Sequence, residues 1–283
     1  MAYATALIEG EPAALYFRGD VAVPVREIIP ELTGDLLAVI SSGRATEIEQ
    51  RADAAGSAFR PLRDFTLTVP YRHPRMIWGI GLNYVEHASD LDAVSPQDEP
   101  ASFIKGDHTI IAPGDPIPLP VQSERVTAEA ELGVIIGREC RNVEEADALD
   151  YVFGFCNVLD QTAEDILQKN PRFLTRSKNF PGFFSFGPEV VTVPELLAVT
   201  GTLGDTSVST LINGVVHRQN VVANMTFSPE MLISFHSKVM PLYPGDIIST
   251  GTPGAVVIRD GDVAGCLIPG IGRLSNPVIG AVA

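Results

Sequence analysis

The sequence predicts a mainly β protein of the α+β class, with a small N-terminal domain at 1–70 and a larger domain at 71–283. Three observations predict it. From Tyr71 onward, short β-rich apolar runs alternate with proline and glycine turns. In that region only 160–169 and 229–239 carry a helical pattern. Hydrophobic residues make up 45% of the 283, enough for a sizeable core and too many for a disordered chain.

In the leading module, strand-like runs at 6–8 and 13–17 are separated by Glu9-Gly10-Glu11-Pro12. Residues 25–40 show apolar residues at mixed helical spacing, interrupted by Pro30. The polar stretch 46–55 is expected at the surface, and the module carries no functional signal. The larger domain is expected to form strands at 76–80, 102–104, 128–136, 151–158, 189–193, 208–212, 247–250 and 254–258. Pro113-Gly114, Asn213-Gly214, Pro244-Gly245 and Asp260-Gly261 mark its turns.

Charge and composition exclude several function classes. A net charge of −15 argues against nucleic acid and anionic membranes as partners. No apolar stretch reaches the roughly 18 residues that cross a bilayer. The N-terminus lacks the basic start and long apolar core of a secretion signal. Cys140, Cys156 and Cys266 show no zinc-type spacing and fit free thiols in a reducing cytoplasm, the expected location.

The most informative stretch is Thr127-Ala128-Glu129-Ala130-Glu131-Leu132-Gly133-Val134. Strand side chains alternate, so Glu129 and Glu131 share one face, with attachment points roughly 6–7 Å apart. Two carboxylates held that close in a partly buried place repel and lose hydration. A hard divalent cation with oxygen ligands compensates. Asp160 ends the apolar run 153–159 and precedes a polar helical pattern. By itself it reads as a helix N-cap; beside the glutamate pair it reads as a third ligand, and the three carboxylates suit Mg²⁺ or Mn²⁺.

Three further groups accompany these carboxylates. His87 and Asp90 stand three apart in a short helical stretch after Trp78-Gly79-Ile80-Gly81-Leu82-Asn83, either as a surface ion pair or as an imidazole tuned to act as a base. Lys105 and Lys178 lie in apolar surroundings, where a lysine snorkels or neutralises carboxylates. Thr250-Gly251-Thr252-Pro253-Gly254 follows a strand; it is a simple turn, or one whose N–H groups and hydroxyls hold a carboxylate or a developing enolate.

Taken in order, these pieces resemble the fumarylacetoacetate hydrolase family from about residue 76 to 279. The matching pieces are Gly81-Leu82-Asn83-Tyr84 with His87, Phe103 with Lys105, Glu129-Ala130-Glu131-Leu132-Gly133, Asp160, Ser177-Lys178, Gly187-Pro188, Asn213-Gly214 and Thr250-Gly251-Thr252-Pro253. The resemblance implies a mixed β-sandwich roll with a small N-terminal domain, as a homodimer. It implies Mg²⁺ or Mn²⁺ (Ca²⁺ as a substitute) on Glu129, Glu131 and Asp160, with Lys178 beside metal and substrate and Thr252 in substrate binding. It gives His87 and its acidic partner, here Asp90, the role of a water-activating dyad. Two departures stand out. Asp90 occupies a place where the family more often has Glu. Glu164 occupies a place where the family commonly has an Arg able to pair a substrate carboxylate; the glutamate would repel one unless Arg172 or Arg176 restores the charge.

The expected activity is metal-dependent hydrolysis of a carbon–carbon bond in a 2,4-dioxo acid, releasing pyruvate. His87, Asp90 and Lys178 are the expected catalytic residues; Lys105, Glu164, Arg176, Thr250, Gly251 and Thr252 are the expected substrate contacts. Isomerisation, decarboxylation or hydration of a related 2-oxo acid uses the same enolate. A non-enzymatic β protein with a structural Ca²⁺ is the reading from another class.

Overall fold

The structure is a computed structural model that describes residues 2–53, 56–84 and 98–282. His87 and Asp90 lie outside the described residues. The strands are β1 (Ala2–Ile8), β2 (Glu11–Arg18), β3 (Val21–Pro24), β4 (Arg60–Pro61), β5 (Thr66–Thr68), β6 (Ile77–Gly81), β7 (Ala101–Lys105), β8 (Ile110–Ile111) and β9 (Ile117–Pro120). They continue with β10 (Val126–Ile136), β11 (Val152–Ala163), β12 (Phe184–Val191), β13 (Ser207–Ile212), β14 (Val215–Val221), β15 (Ile247–Ser249), β16 (Val256–Val257), β17 (Val263–Ile268) and β18 (Gly272–Val282). The α-helices are α1 (Val25–Ile28), α2 (Leu36–Ser42), α3 (Ala45–Ala52), α4 (Glu164–Lys169), α5 (Leu174–Lys178), α6 (Val193–Thr200) and α7 (Pro229–Val239).

One sheet runs β4-β3-β2-β1-β12-β11-β10-β15-β6-β7, with β16 on β10, β5 on β1 and β8 on β12. A second runs β14-β13-β17-β18-β9. The mainly β expectation is therefore met. The strands of the leading module are not a separate layer: β1 pairs antiparallel with β12, Ala2 opposite Val191.

Strand β10 is buried along its whole length, because its two faces meet different partners. Ala128, Ala130, Leu132, Val134 and Ile136 pack in one core with Val208, Ile212, Ala264, Cys266, Leu274 and Val278 of the second sheet. On the opposite face Ile135, Cys156, Val158, Phe184, Phe186 and Ile247 form another core with Val25, Leu36, Val39 and Ile40 of α1 and α2. The period of two written into Ala128-Glu129-Ala130-Glu131-Leu132 thus separates an apolar inter-sheet face from a face that carries acids.

The interruption expected at Pro30 is seen: 25–40 holds two helices, the first ending before Pro30 and the second capped by the Asp35 carboxylate, which accepts from Leu37 N at 3.1 Å. One local expectation is corrected: Asp160 does not start a helix. The β10–β11 ladder runs on from Leu132↔Asn157 to Val126↔Ala163, so strand pairing holds 160–163 and α4 begins only at Glu164. Asp160 is therefore a mid-strand residue directly opposite Glu129.

Candidate active site

Antiparallel pairing places side chains of opposed residues on one face. Glu129 and Asp160 are such a pair, and Glu131 is two residues along on the same face. One carboxylate oxygen from each of the three lies within 4.8 Å of the others, and all three residues are buried. Two lysines converge on them from elsewhere in the chain. Lys178 Nζ, at the end of α5, donates to Glu129 Oε2 and Asp160 Oδ2, both at 2.8 Å. Lys105 Nζ, at the end of β7, donates to Asp160 Oδ1 at 2.6 Å and to the Lys178 carbonyl. The aromatic ring of Phe103 lies 4.9 Å from Lys178 Nζ, and Gly79 leaves room for that ring, which a Cβ there would meet at 2.2 Å.

The electrostatics follow from burial. Loss of water pushes the Glu131 carboxyl up to about 8, and the Asp160 and Glu129 charges add to the effect. Burial lowers the Lys105 ammonium to about 8, against the pull of Asp160. Burial also opposes the Lys178 ammonium, but Asp160, Glu129 and Glu131 outweigh it and hold this lysine above the usual range. Fully ionised, three carboxylates against two ammonium groups would leave one negative charge in a dry place, which a proton on the raised Glu131 carboxyl relieves while no cation is bound. A divalent cation and an anionic substrate would bring that sum to zero. The hard oxygen donors, their closeness and the surplus charge all fit a hard divalent cation.

The turn after β15 closes one side. Ser249 Oγ and Gly251 N donate to Glu131 Oε2 at 2.5 and 2.8 Å. Gly251 has φ +97°, and a Cβ there would meet the Asn83 Cβ at 2.7 Å. The Asn83 amide fixes the turn by donating to the Thr250 carbonyl at 2.7 Å and the Phe227 carbonyl at 3.0 Å. The expected hydroxyls point elsewhere: Thr250 Oγ1 donates to the Leu132 carbonyl, and Thr252 Oγ1 exchanges bonds with Gly254 in its own turn. The backbone N–H of Gly251 is the part of this turn that reaches the carboxylates.

The other two expected substrate contacts have different surroundings. Glu164 is buried and accepts from Arg125 Nε, so it is one half of an ion pair. Arg176 is exposed on α5 with its guanidinium 6.0 Å from the Phe173 ring. Sequence reasoning missed Arg125, Thr127, Thr162 and Ser249. The register finds three of them: 127 opposes 162 once Glu129 and Asp160 are paired, and Ser249 opposes Gly133; Arg125 lies one residue past the ladder, its carbonyl accepting from Glu164 N at 2.9 Å.

The family profile described as fumarylacetoacetate (FAA) hydrolase C-terminal matches residues 76–279, which carry every one of these site residues. This chain belongs to the fumarylacetoacetate hydrolase family. The mitochondrial oxaloacetate tautomerase of Xenopus laevis is 35% identical over 225 residues, covering 76% of this chain and 69% of that protein. The fumarylacetoacetate hydrolase of the psychrophile Exiguobacterium antarcticum superposes with a TM-score of 0.84 at 28% identity over 99% of both chains. The 5-carboxymethyl-2-hydroxymuconate delta-isomerase of Mycobacterium smegmatis gives 0.78 at 29% identity over 100% of both. Fumarylacetoacetate hydrolase family members are enzymes acting on small molecules, and relatives of this chain carry hydrolase, isomerase and tautomerase names. Among the described residues no helix is long and apolar enough to cross a membrane.

Proposed function

We propose that this protein hydrolyses a carbon–carbon bond in a 2,4-dioxo acid and releases pyruvate, with Mg²⁺ or Mn²⁺ held by Glu129, Glu131 and Asp160. The observation that carries it is the buried three-carboxylate group faced by two lysines. The metal, when bound, supplies Lewis-acid stabilisation of an enolate. Lys178 offsets negative charge beside Glu129 and Asp160, and Lys105 holds Asp160 in place. The Gly251 N–H and Ser249 hydroxyl fix Glu131. His87, oriented by Asp90, takes a proton from the attacking water.

Specificity is assigned to the far end of the substrate. Buried Glu164 is already paired with the half-exposed Arg125, so an incoming carboxylate finds both charges engaged. A hydroxylated end can accept from the arginine and donate to the glutamate, and is favoured over a diacid. A preference for the diacid would overturn this assignment.

Tautomerisation or isomerisation of a 2-oxo acid is the second reading, favoured by the 35% identity to an oxaloacetate tautomerase across three quarters of the chain. A panel of acylpyruvates and oxaloacetate, followed separately for pyruvate, carbon dioxide and keto–enol change, decides between them. Pyruvate release from an acylpyruvate that His87→Ala abolishes, with Mn²⁺ binding retained, supports hydrolysis. Enol conversion without cleavage supports the second reading. Cytoplasmic location and a homodimer complete the proposal.

A further inference from the structure

In both glutamates of the carboxylate group one oxygen is held by two donors. Glu129 Oε1 accepts from Thr162 Oγ1 at 2.6 Å and from Thr127 Oγ1 at 3.2 Å. Glu131 Oε2 accepts from Ser249 Oγ and Gly251 N. The two threonines are opposed across β10 and β11, are both 2% exposed, and stand two residues beyond the Glu129–Asp160 pair on the same face. Their hydroxyls are thus built into the sheet and reach the glutamate from a fixed position.

A carboxylate chelates a cation through both oxygens only if it is free to turn both toward it. Here the first oxygen of Glu129 faces the threonines, and the second faces Asp160 and Lys178. The two classes of hard cation differ in this demand. Ca²⁺ takes six to eight oxygens and readily accepts bidentate carboxylates, whereas Mg²⁺ requires an octahedron of single contacts at shorter range. We infer that Thr127 and Thr162 are positioning residues that keep Glu129 monodentate and bias this site toward Mg²⁺ or Mn²⁺ over Ca²⁺. The inference rests on the proposed metal site. It assigns a selectivity role to two residues that touch neither metal nor substrate.

The test measures Mn²⁺ binding by the loss of the free-ion EPR signal, and Ca²⁺ by competition against it, on the full chain. Partners of this kind are worth about 10–100-fold in metal affinity. Thr162→Val is isosteric and removes the shorter bond, so Mn²⁺ affinity is expected to fall about tenfold, Ca²⁺ affinity less, and the Mn²⁺/Ca²⁺ ratio to drop accordingly. Thr127→Val should shift the ratio in the same direction by less, and Thr162→Ser should keep it. The three variants are independent, so failure of one to fold leaves the others to report. A ratio within twofold of wild type in both valine variants overturns the inference while leaving the metal site intact. Wild-type protein that binds no divalent cation overturns the metal reading and the inference together.

Discussion

Replacing Lys178 by Met tests whether the carboxylates need their lysines. Methionine keeps the length and apolar character of the lysine stem and its place beside Phe103. What it removes is an ammonium bonded to Glu129 and Asp160 where the three side chains are 6%, 11% and 0% exposed. With Glu131 pushed up to about 8, it carries its proton at neutral pH, leaving two carboxylates against Lys105. One charge is then unmatched, and the least costly relief is protonation of Glu129. Each pH unit costs about 1.4 kcal/mol, so bringing a carboxyl of ordinary pKa near 4.3 to its neutral form at pH 7 costs ~4 kcal/mol. That agrees with the roughly 3–5 kcal/mol lost when one partner leaves a buried ion pair. At pH 5 the same proton costs only about 1 kcal/mol. Urea unfolding in EDTA should therefore show Lys178→Met losing about 3–4 kcal/mol at pH 7 and far less at pH 5. Saturating Mn²⁺ should recover part of the loss. A deficit under about 1 kcal/mol at pH 7, or an equal deficit at both pH values, refutes the reasoning.

Three further outcomes are expected. Gly251→Ala adds a Cβ at 2.7 Å from the Asn83 Cβ and 3.2 Å from the Ile80 carbonyl, at φ +97°, and urea unfolding should show a loss of about 2–5 kcal/mol from strain and overpacking. Burial raises the Asp246 carboxyl to about 6, so the folded state holds its proton more tightly than the unfolded chain. Its stabilising contribution is complete below about pH 4 and lost as pH rises through 6, by up to about 3 kcal/mol; Asp246→Asn should remove that pH dependence from thermal melts. The Asn179 amide accepts from Gly106 N and donates to the Ile104 and Thr175 carbonyls, tying the end of β7 to α5. Asn179→Ala should loosen both lysines and lower kcat more than it raises KM in steady-state kinetics.

How much of this was legible in the sequence depends on the range of the interaction. Glu129 and Glu131 on one face, with Ala128, Ala130 and Leu132 packed on the other, follow from a period of two within a few residues. Asp160 was found but set at a helix start, because Thr162-Ala163-Glu164-Asp165 reads as a polar helix opening. The ladder to β10 overrides that local preference as far as Ala163. Pairing decides it, and pairing partners lie over thirty residues away. The meeting of Lys105 with Lys178, 73 residues apart, has no local signature at all. Arg125 beside Glu164 and the hydroxyls of Thr127 and Thr162 were equally hidden, since they become meaningful only once the register is known. The turn at 250–254 was located correctly, yet its useful group is a backbone N–H and not the hydroxyls that drew attention.

The pairing of β1 with β12 also has a temporal side. During synthesis Ala2 and Tyr3 emerge long before Val190 and Val191, their partners in the sheet. Until then β1 can zip with β2, residue by residue from Ile8↔Glu11 to Ala2↔Phe17, and with β5 from Leu7↔Thr66 to Thr5↔Thr68, leaving the other edge bare only at Ala2 and Tyr3. Such distant closure is slow, and the waiting edge invites other strands. The strand that carries Asp160 is itself neighbour to β12, so assembly of the carboxylate group awaits a late event on the ribosome. Aggregation during expression, more than instability of the finished fold, is where this architecture is vulnerable.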